Sequence, residues 1–393
     1  MLHDYRRWWH KPQLHQEGED ARRVTFLELF FDLIFVVVIA RLAHHLTEHP
    51  DWGSLRDFVL LFVPVWWVWI GITYYNERFE TYDLSFRAFT FLQLLAVAGM
   101  AASAEYGLSK TAAGFALSYA FARTVITLMW WRAGRHNPQL RPVTDIFVRG
   151  FSLSIALWVV SAFVGGPLAL LLRGAGLLID LLTPVPTLPR QRRLFTSAAR
   201  KLPERFGLFV IIVLGEGLVG VVNGLADLEA LGALALTRFV LSLLLGFGLW
   251  WIYFDFIGRR EPRRDTIKLF AWSYLHLPLV LGITMTGAML SHAVALGAGA
   301  AEEATRWILV LGFALYYLSV AALEYTVEEE RLVDQRMVTG LRVGTALLAL
   351  ALPLLPMPLG ALVAALVALH LLHMWVGVAA WFRSDQAGRV DVH

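Results

Sequence analysis

Apolar runs of about 17 to 25 residues recur from one end of the chain to the other, separated by short polar stretches. An α-helix rises 1.5 Å per residue, so about 20 apolar residues cross a hydrocarbon layer of about 30 Å. The pattern predicts twelve such spans, at residues 24–46, 55–75, 86–105, 111–131, 143–164, 167–183, 206–226, 236–257, 267–292, 305–326, 337–355 and 359–382. Two are weak in pattern: 167–183 is short and carries Arg173 and Asp180, and 337–355 contains Arg342 and ends in prolines.

Loop charge tests the count separately. Arg132, Arg135 and Arg141, then Arg190, Arg192, Arg193, Arg200 and Lys201, then Arg259, Arg260, Arg263 and Arg264 fall between spans on one side. Loops 47–54, 165–166, 227–232 and 297–304, on the other side, have almost no Lys or Arg. The positive-inside rule makes the rich side cytoplasmic, which puts both termini in the cytoplasm of a multi-pass inner (plasma) membrane protein. Trp8, Trp9, Trp52, Trp130, Trp131, Trp307 and Trp381 lie near span ends, where interfacial aromatics belong.

Composition agrees with the pattern. Of 393 residues 58% are hydrophobic and 17% charged, against about a quarter charged in soluble domains, and a soluble surface could not accommodate so much apolar side chain. There is no cysteine, which excludes disulfides, thiolate metal sites and cysteine nucleophiles together. The polar start, 1–23, has none of the short apolar stretch of a signal peptide. No basic stripe suits nucleic acid, and no Walker loop, dinucleotide fingerprint, HExxH or nucleophile elbow is present, which weighs against an ATP-driven pump or an enzyme.

A Pro- and Arg-rich connector near the middle of the chain prompts a search for repetition. Leu92-Gln93-Leu94 with Gly99 matches Leu275-His276-Leu277 with Gly282, and Arg149-Gly150 matches Arg342-Val343. Trp66-Trp67 matches Trp250-Trp251, and Asp32 before Leu42-Ala43 matches Glu216 before Leu225-Ala226. The order is the same in both halves. The expected architecture is an all-α polytopic membrane bundle of about twelve transmembrane helices, arranged as two parallel six-helix repeats. Its parts are a cytoplasmic segment 1–23, a first repeat 24–183, a basic linker 184–204, a second repeat 205–382 and a cytoplasmic tail 383–393.

Glu28, Asp32, Arg41, Arg123, Arg149, Arg173, Asp180, Glu216, Asp255, His276, Glu324, Arg342, His370 and His373 fall within the spans. Each charge at mid-membrane costs about 2.5 to 3.5 kcal/mol on insertion scales, so these must face protein, water or one another. Glu28 and Asp32 are one helical turn apart, so one is protonated or a cation sits between them. Either they line a proton or cation path, or arginines of neighbouring helices lock them, with Arg123, Arg149 and Arg342 as candidates; Asp255 and His276 complete the supporting network. Glu216, between Gly215 and Gly217, lets another backbone approach or lets the helix loosen around an ion. As the repeat equivalent of Asp32, it is expected to face it across the repeat interface. His45 and His49 form either a metal pair or a wet interfacial cluster, and His370 with His373 either a proton relay or hydrogen-bonded core. Tyr74 to Arg78 close the second helix as a gate or an anchor.

At these residues a family resemblance emerges. Val24-Thr25-Phe26-Leu27-Glu28-Leu29-Phe30-Phe31-Asp32-Leu33-Ile34-Phe35-Val36 resembles the opening signature of the bacterial low temperature requirement protein A family. Glu204-Arg205-Phe206-Gly207-Leu208-Phe209-Val210-Ile211-Ile212-Val213-Leu214-Gly215-Glu216 is similar to its second signature. Tyr75 to Thr81 and Trp250 to Asp255 fit weaker blocks, and the likeness spans nearly all of 22–382. Gly217 departs from it, since many members have a hydroxyl residue after the glutamate. The resemblance implies a multi-pass membrane protein named for a cold-growth requirement and supplies no biochemical activity. A fainter likeness, to the two-repeat lysosomal potassium channels, rests on an acidic residue in the first helix of each six-helix repeat.

The expected function is therefore a channel or secondary transporter for a cation, proton or small solute, with Asp32, Glu216 and Glu28 at the path. The rival is a non-transporting membrane sensor or assembly factor in cold or membrane adaptation. The expected partners are the lipid bilayer, a small ion or solute and, in an assembly, a second copy of the chain. No cofactor, metal or nucleic acid is expected.

Overall fold

The computed structural model describes residues 11–12, 25–79, 83–194, 201–228, 230–263, 265–296, 302–328 and 335–390, the last eleven as backbone only. The rest of the 1–23 segment with Trp8 and Trp9, linker residues 195–200, Arg264 and residues 391–393 lie outside them. Twelve long helices follow in order: α1 (Phe26–Glu48), α2 (Trp52–Arg78), α3 (Leu84–Ser103), α4 (Ala112–His136), α5 (Arg141–Ser161), α6 (Gly166–Leu182), α7 (Leu202–Ala226), α8 (Ala233–Tyr253), α9 (Thr266–Ala295), α10 (Glu303–Leu323), α11 (Gln335–Ala351) and α12 (Leu359–Val390). A short helix, Leu188–Leu194, precedes α7, and a π-helical turn, Phe254–Gly258, follows α8. No strand occurs among the described residues, and an isolated bridge joins Pro262 to Val327.

Among the described residues eleven helices, α2 to α12, are long and apolar enough to cross a membrane. The remaining long helix, α1, has 23 residues and carries Glu28, Asp32, Arg41 and Glu48. The weakly patterned 167–183 stretch is helical as α6, and α11 gives way at Leu352–Leu354 to a 3-10 turn at the predicted prolines. Local chemistry sets several ends. Asp83 caps α3 by accepting from the Phe86 amide, and Asp265 caps α9 by accepting from Ile267 and Lys268. Thr25 and Glu28 form a capping box on α1: the Thr25 hydroxyl accepts from the Glu28 amide at 3.3 Å, and a Glu28 oxygen accepts from the Thr25 amide at 2.9 Å.

The chain divides into two compact units, Met1–Leu42 with Leu60–Arg205 and Ala43–Val59 with Phe206–His393. In the first, α3, α4, α5 and α6 pack in sequence order, as short connections require of antiparallel neighbours. A side chain at Gly134 would begin 2.1 Å from the Thr144 hydroxyl, so glycine permits the close approach of α4 and α5. Trp66, Trp69, Tyr119, Phe31 and Phe35 fill this core. In the second unit α9 packs on α10, α10 on α11, and α8 on both α9 and α12. Gly282 lies against the backbone of Gly312 and Tyr316, bringing α9 and α10 nearly into main-chain contact.

Candidate functional site

Asp32 is completely buried on α1. Its Oδ1 accepts the indole N–H of Trp69 from α2 at 2.8 Å and a guanidinium N–H of Arg205, from the first turn of α7, at 3.0 Å. Another Arg205 nitrogen stands 3.9 Å from Glu28 Oε1. Arg205 is therefore the cation between the two carboxylates that their one-turn spacing demands. It is itself only 1% exposed. Saturation is incomplete: Asp32 Oδ2 and Arg205 Nε and Nη1 are buried with no hydrogen-bond partner. The other Glu28 oxygen serves the capping box with Thr25, so Glu28 both starts the helix and leans on the arginine.

The arginines expected to hold these carboxylates are elsewhere. Arg123, on α4, donates to Asp180 Oδ1 at 2.8 Å, and Tyr119 donates to Asp180 Oδ2 at 2.6 Å. The Arg123 guanidinium also lies 4.2 Å from the Phe151 ring centre. Arg342, on α11, pairs with Glu324, which Arg260 also approaches at 3.6 Å, and it covers the Phe256 ring. Arg149 is exposed on α5. Asp255, in the π-helical turn, pairs with Arg259 at 3.4 Å on the surface. His276 bridges the Trp272 carbonyl at 2.7 Å and the Tyr253 hydroxyl at 3.0 Å. The supporting set expected from sequence is thus distributed over separate pairs.

Glu216 is half-buried on α7, with no hydrogen bond or ion pair among the described residues. The backbone approach expected beside it is present at Gly217, where a side chain would meet the Cα of Gly287 on α9 at 3.4 Å. Nearby, α7, α8 and α9 enclose a cavity of about 20 Å³ walled in part by Gly217, Thr286 and Ser242, whose hydroxyl is unpartnered; that volume suits one water. At the tip of α1, His45 and His49 meet edge to face at 5.5 Å between ring centres, and His44 faces Glu48 at 3.1 Å. No group of three or more metal-ligating side chains occurs among the described residues. Glu77 accepts the Lys201 amide at 3.2 Å and Arg78 donates to Gln191 at 2.5 Å, which ties the end of α2 to the segment before α7.

Arg205, Trp69 and Tyr119 are the participants that reading spans alone misses. Arg205 sits just before the apolar run of α7, where it counts as loop charge. Three more arginines serve helix ends from within spans. Arg173 reaches Ser161 at the end of α5, Arg238 the Ala293 carbonyl near the end of α9, and Arg306 the Pro353 and Leu355 carbonyls after α11. Each places positive charge where a helix carries its negative end.

Residues 23–380 match the family described as Bacterial low temperature requirement A protein (LtrA). The chain is also 28% identical over 309 residues to an uncharacterized protein of Rhizobium meliloti (strain 1021), an alignment covering 73% of this chain and 75% of that protein. Asp32 and Arg205 come from the two long motifs, 173 positions apart, and meet in one ion pair. On a match that covers nearly its whole length, the chain belongs to the bacterial low temperature requirement A protein family.

Proposed function

We propose that this membrane protein is a channel or secondary transporter for a proton, another cation or a small solute, with Asp32 as the ion-responsive carboxylate and Arg205 as its internal counter-ion. The supporting observation is the under-bonded pair itself. A buried polar atom without a partner costs about 1 to 3 kcal/mol, so an unpartnered Asp32 Oδ2 beside two unpartnered Arg205 nitrogens calls for a reason to persist. An ion pair with spare acceptor and donor capacity can exchange its arginine for a proton or a cation at low cost, whereas a saturated pair cannot. An ionisable residue within an apolar helix is a candidate functional site by default. Glu216, half-buried and without an ion pair among the described residues, is a second candidate carboxylate, and Glu28 biases the arginine. The chain is read as a transport protein and not an enzyme, in the inner membrane with both termini cytoplasmic, as a monomer or a homodimer; the order of the repeated frames favours two parallel six-helix repeats.

The test is flux into liposomes containing purified protein, read with a pH-sensitive dye for protons and with imposed K⁺ and Na⁺ gradients. Flux of at least one of these is expected, with a loss of about tenfold or more in Asp32→Asn, the size of a 1.4 kcal/mol change at a rate-determining site. Unchanged flux in Asp32→Asn combined with Glu216→Gln removes the path assignment. Complete burial of Asp32 also suits the second reading, a sensor or assembly factor. That reading predicts no flux of any of the three ions from wild-type protein.

A further inference from the structure

Three histidines are buried in the second unit, and they are not equivalent. His276 has both ring nitrogens engaged, Nδ1 with a backbone carbonyl and Nε2 with the Tyr253 hydroxyl. A carbonyl only accepts, so Nδ1 must carry the proton, and the ring is held as one neutral tautomer. His370 and His373, 1% and 2% exposed, lack this arrangement. His370 Nδ1 faces the Tyr317 hydroxyl at 2.8 Å, while its Nε2 is pressed against the Gly248 backbone without completing a hydrogen bond of normal geometry. His373 Nδ1 has no partner, and its ring meets Tyr317 edge to face, 5.2 Å between centres. The two histidines stand three residues apart, on one face of α12, and share one tyrosine. A tyrosine hydroxyl donates or accepts with equal ease, so the Tyr317 side of the His370 ring is served in both the neutral and the imidazolium form.

We propose that His370, Tyr317 and His373 form a proton-binding site within the second unit, taking up one proton at a time. The proton adds to the lone pair of an unprotonated ring nitrogen and gives an imidazolium; no other bond changes, and release is the reverse. The groups around the site are Tyr317 from α10 with its neighbour Tyr316, Arg342 from α11, whose own partner is Glu324 just past α10, the Gly248 backbone from α8, and the two histidines of α12. Glu324 pairs with both Arg342 and Arg260, so these three groups carry one net positive charge before the site loads. Arg342 then opposes a second proton, which sets the capacity at one. Space excludes a larger cation at His370, because even a methyl group on residue 248 would lie 1.9 Å from Nε2. The Arg260 side chain, 13% exposed, pairs with the same Glu324 carboxylate as Arg342. The site is independent of Asp32 and stands whether or not the chain moves a solute.

The experiment is NMR of protein labelled with ¹⁵N in its imidazole rings, held in lipid nanodiscs and titrated between about pH 4 and pH 9. Signals are assigned by their loss in His276→Gln, His370→Gln and His373→Gln. Expected is a single protonation step shared by the His370 and His373 signals, with the His276 signal remaining that of one neutral tautomer. Tyr317→Phe keeps the ring and removes the hydroxyl, and is expected to weaken proton uptake at His370 about threefold or more. That variant serves equally if a glutamine substitution prevents folding. Absence of protonation at both histidines over the whole range overturns the proposal, as does a Tyr317→Phe titration indistinguishable from wild type. Liposome flux does not enter this readout, so its outcome and that of the transport reading are separable.

Discussion

Asp32 and Asp180 are both completely buried in the first unit and both face an arginine, yet they are bonded differently. Asp180 uses both oxygens, one for Arg123 and one for Tyr119, and a phenylalanine ring covers the arginine. Asp32 crowds Trp69 and Arg205 onto one oxygen and leaves the other unpartnered. Arg123 also has an unpartnered Nε, so the contrast lies at the acid end of each pair. The difference teaches how to separate a lock from a candidate ion site. Burial and pairing are common to both, and only the count of unused acceptor positions distinguishes them.

The largest expected effect breaks the lock. Asp180→Asn keeps an oxygen for only one of the two donors, sets its new NH₂ against the other and leaves the buried Arg123 charge without a counter-charge, so it should cost about 3 to 5 kcal/mol, the usual penalty for stripping one partner from a buried pair. Asp32→Asn should cost less, about 1 to 2 kcal/mol, because Glu28 remains 3.9 Å from Arg205. The new amide can keep its oxygen toward Trp69 and Arg205 and place its NH₂ where no donor stood. Thermal unfolding of the two variants in the same detergent compares them directly. Equal losses of Tm would show that the unpartnered oxygen at Asp32 has no energetic meaning. Next in size, Tyr119→Phe removes the hydroxyl on Asp180 while keeping the ring that packs 4.2 Å from Trp158, and about 1 to 3 kcal/mol is expected in the same assay.

Much of this architecture is legible in the chain, because length and apolarity alone decide what can cross a bilayer. The short run with Arg173 and Asp180 reads poorly by apolarity, yet it is a helix whose two charges are satisfied by α4 and α5. The partner of Asp32 was hidden for the opposite reason. Arg205 precedes its apolar run by one residue and looks like one more cytoplasmic charge, whereas Arg123, well inside a span, looks like the natural counter-ion. Which arginine reaches which acid depends on helix packing across 173 residues of chain, and no local pattern encodes that. One clue was available: Arg205 lies in the second long motif, as Asp32 lies in the first. Glu28 does more than its spacing from Asp32 indicates. Its spacing from Asp32 suggested a coupled acid pair, but Thr25 three residues before it also writes a capping box, and the fold uses Glu28 for that as well as for leaning on Arg205.

The smallest expected effect comes from Asp255, a carboxylate that looked intramembrane in the sequence. Asp255 sits in the π-helical turn after α8, with 35% of its side chain exposed, and its partner Arg259 is 72% exposed. At one helical turn and 3.4 Å the two make an ordinary surface pair, worth about 0.3 to 0.5 kcal/mol and weakened further by salt. Asp255→Asn should therefore leave the unfolding temperature within about 1 °C and leave any ion flux unchanged, since 0.5 kcal/mol spread over a chain of this size is a small shift. A loss comparable to that of Asp180→Asn would mean that the π-helical turn is held by this pair, and exposure would then fail as the property that sets the surface acids apart from Asp32 and Asp180.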